Sequence, residues 1–167
     1  MTDAPARSTT LAPQSFDSLE QEVFLNLWRS YDRLKALEDE TFGRVGLSAQ
    51  QYNALRLLRW AFPESMATLD LGKRLISRAP DMTRLLDRLE QRGLLSRERR
   101  ADNRRVVAVR ITPEGAQLLD EIHASVLDCH HRQLGHLDPQ SLQQLARLLK
   151  AARQPHEDAA NPSFVDH

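Results

Sequence analysis

Residues 68–112 read TLDLGKRLISRAPDMTRLLDRLEQRGLLSRERRADNRRVVAVRIT. The stretch opens with a short amphipathic helix, Leu69 to Ile76, and then breaks. A second helix is expected from about Ala79 to Arg92. There Met82, Leu85, Leu86 and Leu89 recur at i, i+3, i+4 and i+7, which buries one face. Two strand-like runs follow, Leu94–Arg99 and Val106–Ile111, with Val107, Val109 and Ile111 on one side of the second. Between them stands a tip, Arg100 to Arg105, that carries three arginines.

Helix, turn, helix and basic hairpin, in that order, describe a winged helix-turn-helix. The expected fold class is mainly α (α+β). Long N- and C-terminal helices, 16–43 and 112–153, would form a dimerisation layer around a winged lobe at 48–112. Charge supports the reading by its distribution, since the total is balanced at 23 basic and 23 acidic residues. Residues 73–110 hold twelve Lys and Arg against five acids, a net of +7, and the rest of the chain carries −7. A local excess of that kind is a footprint for a polyanion.

Around this stretch the chain reads as helices. The first 15 residues are rich in Ala, Pro, Ser and Thr and are expected to be a disordered tail. The first helix starts at Asp17 or Ser18, since both Asp17–Glu20 and Ser18–Gln21 have capping-box spacing. Its apolar stripe (Val23, Phe24, Leu27, Trp28, Tyr31, Leu34, Leu37) is wide enough for contacts on more than one side. Gly43 and Gly46 end it. Ser48 with Gln51 opens a second helix through Tyr52, Leu55, Leu58 and Ala61, which Pro63 stops. Met66–Thr68 reads as a short strand or as loop. Thr112-Pro113-Glu114 and Asp138-Pro139 each start a helix with a cap and a first-turn proline. The end, 154–167, reads as a flexible tail. The whole of 16–153 is expected to be one domain.

The side chains facing away from the buried stripe of the second motif helix are the candidates for DNA contact. Arg78, Pro80, Asp81, Thr83 and Arg84 lie at its N-terminal part, which enters the major groove in helix-turn-helix proteins. Arg84 can donate a bidentate pair to guanine, and Thr83 can bond base or phosphate. Arg88, one turn further on, is placed to meet phosphate. On the hairpin tip, Arg100, Arg104 and Arg105 suit a narrow minor groove. The plainer alternatives are a solvated helix face and a soluble hairpin tip.

At this point the chain resembles the MarR family of transcriptional regulators. The match is carried by Thr83-Arg84-Leu85-Leu86-Asp87-Arg88-Leu89-Glu90-Gln91-Arg92-Gly93-Leu94-Leu95, Asn103-Arg104-Arg105 and Val109-Arg110-Ile111-Thr112-Pro113-Glu114-Gly115. The resemblance runs from about Asp17 to Arg153. It implies a triangular homodimer on double-stranded DNA. The implied function is a repressor released from a palindromic operator by a small, often aromatic ligand. It also implies a ligand pocket between the first two helices and the lobe, for which Trp28, Tyr31, Trp60 and Phe62 are candidates, or else plain core aromatics. Two positions depart from the family pattern. Asn103 stands where the wing usually has the aspartate of Asp-x-Arg. Arg78, preceded by Ser77, stands where a serine or threonine usually caps the recognition helix.

Other readings are narrower. Cys129 is alone, so no internal disulfide forms, and a reducing compartment is expected. As a lone thiol it reads as a small buried apolar residue. Cys129, His130 and His131, with His123 and His136 nearby, invite a metal reading. Adjacent helical residues point about 100° apart, however, and do not converge on one ion, so no metal and no cofactor is assigned. The N-terminus MTDAPARSTTLAPQ lacks an apolar signal core, and no run approaches the roughly 18 apolar residues of a membrane span. A cytoplasmic location is therefore expected, with no membrane partner. No phosphate loop, nucleophile–base pair or paired carboxylate suggests an enzyme. The competing function is a winged-helix module for protein–protein contact with no specific DNA site.

Overall fold

The structure is a computed structural model that describes residues 16–76, 81–99, 103 and 105–157. Among them run six α-helices and three strands: α1 Leu19–Gly43, α2 Ala49–Ala61, β1 Met66–Ala67, α3 Thr68–Arg74, α4 Met82–Gln91, β2 Leu95–Arg99, β3 Val107–Ile111, α5 Pro113–Leu134 and α6 Pro139–Arg153. A single 3-10 turn, Gln154–His156, follows α6 inside the stretch expected to be tail. None of these helices is long and apolar enough to cross a membrane. The chain divides into two compact units, one ending at Lys35 and one beginning at Ala36.

The helix starts follow local capping chemistry. Ser18 Oγ accepts the backbone N–H of Gln21 at 3.2 Å, which resolves the choice at the start of α1 in favour of Ser18. At α2 the box is complete: Ser48 Oγ accepts from Gln51 N–H, and the Gln51 side chain accepts from Ser48 N–H. Thr112 caps α5 through the N–H of Gly115, and Asp138 caps α6 through those of Gln140 and Ser141. Between α1 and α2 the chain turns at Gly46, whose φ of 65° is a conformation that glycine adopts at least cost.

The sheet is antiparallel with order β1-β3-β2. Met66–Thr68 had two readings, and pairing settles them: Met66 and Ala67 form β1 opposite Val109 and Ala108, while Thr68 begins α3 and its hydroxyl donates to Val107 O at 3.1 Å. In the larger ladder Leu95 faces Ile111 and Arg97 faces Val109. Facing residues share a side of the sheet. The side holding Leu95, Val109 and Ile111 is buried.

The core lies in the larger unit. Leu55 and Leu58 of α2, Leu71 of α3, Leu86 and Leu89 of α4 and Val109 of β3 are almost wholly buried, and Leu119, Ile122 and Val126 of α5 extend the same cluster. Each such side chain contributes about 1.5–3 kcal/mol by leaving water. The first part of α1, taken by itself, is different: Leu19, Val23, Phe24, Leu27, Trp28 and Tyr31 are all exposed. Helix α6 has no buried residue, and Leu148 and Leu149 are exposed on it.

Candidate nucleic-acid interface

Helix α4 begins later than its periodicity suggests, at Met82 instead of about Ala79. Asp81 decides the start. Its Oδ1 accepts the backbone N–H of Arg84 at 2.9 Å, and its carbonyl accepts that of Leu85 at 3.1 Å. The cap thus comes from Asp81, and Ser77 lies outside the described residues. A carboxylate here also lies favourably at the positive end of the helix dipole. The position of Asp81 suggests a reach for base edges, but in the structure its carboxylate is engaged in the cap. Arg78, Pro80, Arg100 and Arg104 lie outside the described residues.

From Met82 onward α4 has two clean faces. Leu85, Leu86 and Leu89 are buried, while Thr83, Arg84, Arg88 and Gln91 are exposed. Arg84 and Arg88, four apart, sit on the same side. A helix presenting threonine and two arginines outward can offer hydroxyl and guanidinium donors to base edges and phosphates at once.

Two arginines counted in the basic stretch are used inside the protein. Arg92, at the end of α4, donates to the carbonyls of Gly46 at 2.7 Å and Val45 at 3.0 Å, tying the helix to the α1–α2 turn. Arg97 of β2 donates Nε to Glu90 Oε2 at 2.9 Å and Nη2 to Asp87 Oδ1 at 2.6 Å, and its Nη2 also meets Glu90. The hydrogen bonds that Arg97 donates hold the Glu90 carboxyl below its usual range, and the same bonds, accepted by Glu90 and Asp87, hold the Arg97 guanidinium above its own. Glu90 and Arg97 are therefore charged at neutral pH. Setting this trio aside leaves eleven basic and three acidic residues in 73–110, so the excess that remains for a partner is undiminished.

On the hairpin, Asn103 takes over the turn. Its Oδ1 accepts the backbone N–H of Arg105 at 3.1 Å, and its carbonyl accepts that of Val106 at 2.9 Å. This is an Asx-type turn, which asparagine makes as readily as aspartate. The departure from Asp-x-Arg therefore keeps the backbone function of the acid but supplies no charge to the arginine. Arg105 is exposed.

A cleft of about 520 Å³ opens between α2 and α5. Tyr52, Arg56 and Arg59 line it from α2, and Asp120, His123 and His130 from α5. Arg59 reaches Asp120 at 2.6 Å and donates to Ala116 O at 3.3 Å. Burial pushes the Tyr52 phenol up, so it stays a hydrogen-bond donor at neutral pH. Trp60 and Phe62, picked as pocket aromatics, do not line this cleft; both are exposed, and Trp60 lies 5.8 Å under the Arg74 guanidinium. Trp28 and Tyr31, on the first part of α1, are exposed as well, and Trp28 packs on Phe24 with ring centroids 6.2 Å apart. Sequence reasoning missed the cleft. Its signal was Arg56 and Arg59 on one turn of α2, together with His123 and His130 on one face of α5.

Cys129 is buried, as a small apolar residue would be. His130 Nδ1 pairs with Gln133 Oε1 at 3.0 Å. Among the described residues no group of three or more His, Cys, Asp or Glu side chains is arranged to hold a metal ion.

The scaffold defines a winged helix-turn-helix protein, with Thr83, Arg84 and Arg88 on the outward face of α4. Residues 47–107 match the model of the MarR family. A MarR transcription factor from Planctomyces limnophilus is 54% identical, with 82% of this chain and 99% of that one covered and a TM-score of 0.65. A mutant MarR from E. coli, solved with operator DNA, is 25% identical over 81% of this chain and 99% of that one, with a TM-score of 0.71. Bordetella bronchiseptica BpsR, whose DNA binding is regulated by 6-hydroxynicotinic acid, is 26% identical over 78% of this chain and 98% of that one, with a TM-score of 0.71. The chain belongs to the MarR family of DNA-binding transcriptional regulators.

Proposed function

We propose that this regulator is a cytoplasmic homodimeric repressor, not an enzyme. It binds a palindromic operator and lets go when a small anionic, aromatic ligand enters the α2–α5 cleft. The observation that carries the reading is the division of α4. Its apolar face is buried in the chain's own core, while Thr83, Arg84 and Arg88 are left facing out. Arg105 stands exposed on the wing. Arg78, Pro80, Arg100 and Arg104 join them by their place in the sequence, and Asp81 serves as the cap. Residues 48–112 make the DNA-binding lobe within a domain spanning 16–153, and 16–43 with 112–153 make the dimer layer. The exposed apolar side chains of α1 and α6 support that layer, since a patch of this kind marks a protein contact. In the cleft, Arg56, Arg59 and two histidines favour a carboxylate, and E. coli MarR and BpsR supply the precedents of operator DNA and a pyridine carboxylic acid.

The test is a binding titration on the DNA upstream of the protein's own gene. Arg84→Ala should weaken the cognate duplex by about ten- to a hundredfold, with a smaller loss on unrelated DNA. Arg105→Ala should weaken both or act at A·T-rich flanks. Unchanged binding by both variants would overturn the assignment. A thermal-shift screen of aromatic carboxylic acids tests the effector, since a ligand of the folded state raises Tm.

A further inference from the structure

Arg97 sits where a strand arginine has no obvious reason to be. It faces Val109 across the ladder, on the side of the sheet that Leu95 and Ile111 bury, and its side chain is only 24% exposed. An inward cation must be matched, and two carboxylates of α4 match it. Asp87 and Glu90 are three residues apart, so they project from neighbouring turns on one side of the helix. The planar guanidinium fork reaches both, with Nη2 on Asp87 and with Nε and Nη2 on Glu90. A lysine, a point charge on a flexible stem, cannot hold two carboxylates in fixed directions.

We propose that Arg97 is a positioning residue for DNA recognition: by holding Asp87 and Glu90 together it locks α4 to β2 and so sets the spacing between the recognition helix and the wing. The inference rests on the reading that α4 and the wing touch DNA. The strand explains the reach of the effect. Two residues beyond Arg97, at Arg99, β2 ends and the tip begins. A rotation of α4 relative to β2 would therefore move Arg84 and Arg105 apart without unfolding either element. The C-terminal end of α4 has a second tie, Arg92 to the carbonyls of Val45 and Gly46. That tie fixes the helix end, the buried leucines set the coarse roll of the helix, and the clamp adds a directional tie to the sheet. The clamp also pairs both carboxylates of α4 that are not engaged in its cap, which offsets their repulsion of phosphate.

The experiment compares two duplexes of equal length, one selected from random sequence by the wild-type protein and one scrambled, by fluorescence anisotropy across a salt series. The ratio of the two affinities is read on the molecules that bind, so a partly unfolded preparation does not distort it. Arg97→Gln should lower the ratio about tenfold while scrambled DNA changes by less than about threefold, with the salt slope unaltered. Arg97→Lys should recover part of the ratio. The triple variant Arg97→Gln/Asp87→Asn/Glu90→Gln carries one more net positive charge than wild type, yet should stay as undiscriminating as Arg97→Gln. A retained ratio in Arg97→Gln overturns the clamp. So does a salt slope smaller by about one, which means a direct phosphate contact. Recovery in the triple variant overturns it too, because exposed carboxylates would then explain the loss. Equal binding of wild-type protein to both duplexes would overturn the regulator reading itself, and the clamp with it.

Discussion

Helices α1 and α4 both carry apolar stripes, a wide one and a narrow one, to different ends. In α4, Leu85, Leu86 and Leu89 are covered by the chain's own core, and Leu89 is 0% exposed. In the first part of α1, Val23, Phe24, Leu27 and Trp28 are exposed, Trp28 at 63%. Periodicity announces both stripes, the α4 one more sharply, and reports only that a face wants to leave water. It does not say whose atoms will cover it. For α4 the answer is within the chain, which fixes the helix and leaves its polar face to solvent, free for the DNA contact proposed above. For α1 the answer is the second copy proposed above.

The contrast can be tested from each side. Leu89→Ala should cost the most, about 3 kcal/mol of folding stability, because it opens a cavity in a filled core. Urea denaturation measures it, and a loss below about 1 kcal/mol would mean that α4 is less firmly seated than its burial implies. Trp28→Ala should act on assembly. Self-association, followed by sedimentation equilibrium, should weaken by about 2 kcal/mol, or roughly thirtyfold in Kd. Wild-type association in that variant would remove this face of α1 from the interface. The smallest effect belongs to Asp81→Ala, which deletes the α4 cap and should cost about 1 kcal/mol. Its mark is lower thermal stability with an unchanged urea m-value, since little new surface is exposed.

What the sequence made legible depended on distance along the chain. Ser48 with Gln51, Thr112 before Pro113 and Asp138 before Pro139 each name their own partners within three residues, and each became the cap it announced. Periodicity found the buried side of α4, and by subtraction its outer side, Thr83, Arg84 and Arg88. The start of α4 was misplaced because the apolar pattern says nothing about which polar residue caps it; Asp81, three before Arg84, was the available signal. Pairing over long separations was the harder part. Met66 and Ala67 become a strand only because Val109 and Ala108 are there to meet them. Arg97 looked like one more charge for DNA, although counting by twos from Leu95 puts it on the inner side of the sheet. Its partners on α4 become visible only once the helix lies against that sheet. The α2–α5 cleft belongs to the same class, since no local pattern tells which helices will be neighbours.

The joint between the hairpin and α5 has a mechanical consequence. Thr112 donates its hydroxyl to Gly93 O at 2.6 Å and its N–H to Leu94 O at 3.2 Å, while its Oγ1 accepts Gly115 N–H at 3.1 Å. Gly115 lies so close that a Cβ there would stand 2.1 Å from Leu94 O, a space no other residue can occupy without moving the backbone. The corner is therefore a weld and not a hinge. Torque applied along α5, for instance by a ligand wedged against its His123, cannot be spent in bending at Thr112. It passes into the start of β2 and the end of α4, the two elements whose far ends carry the DNA contacts proposed above.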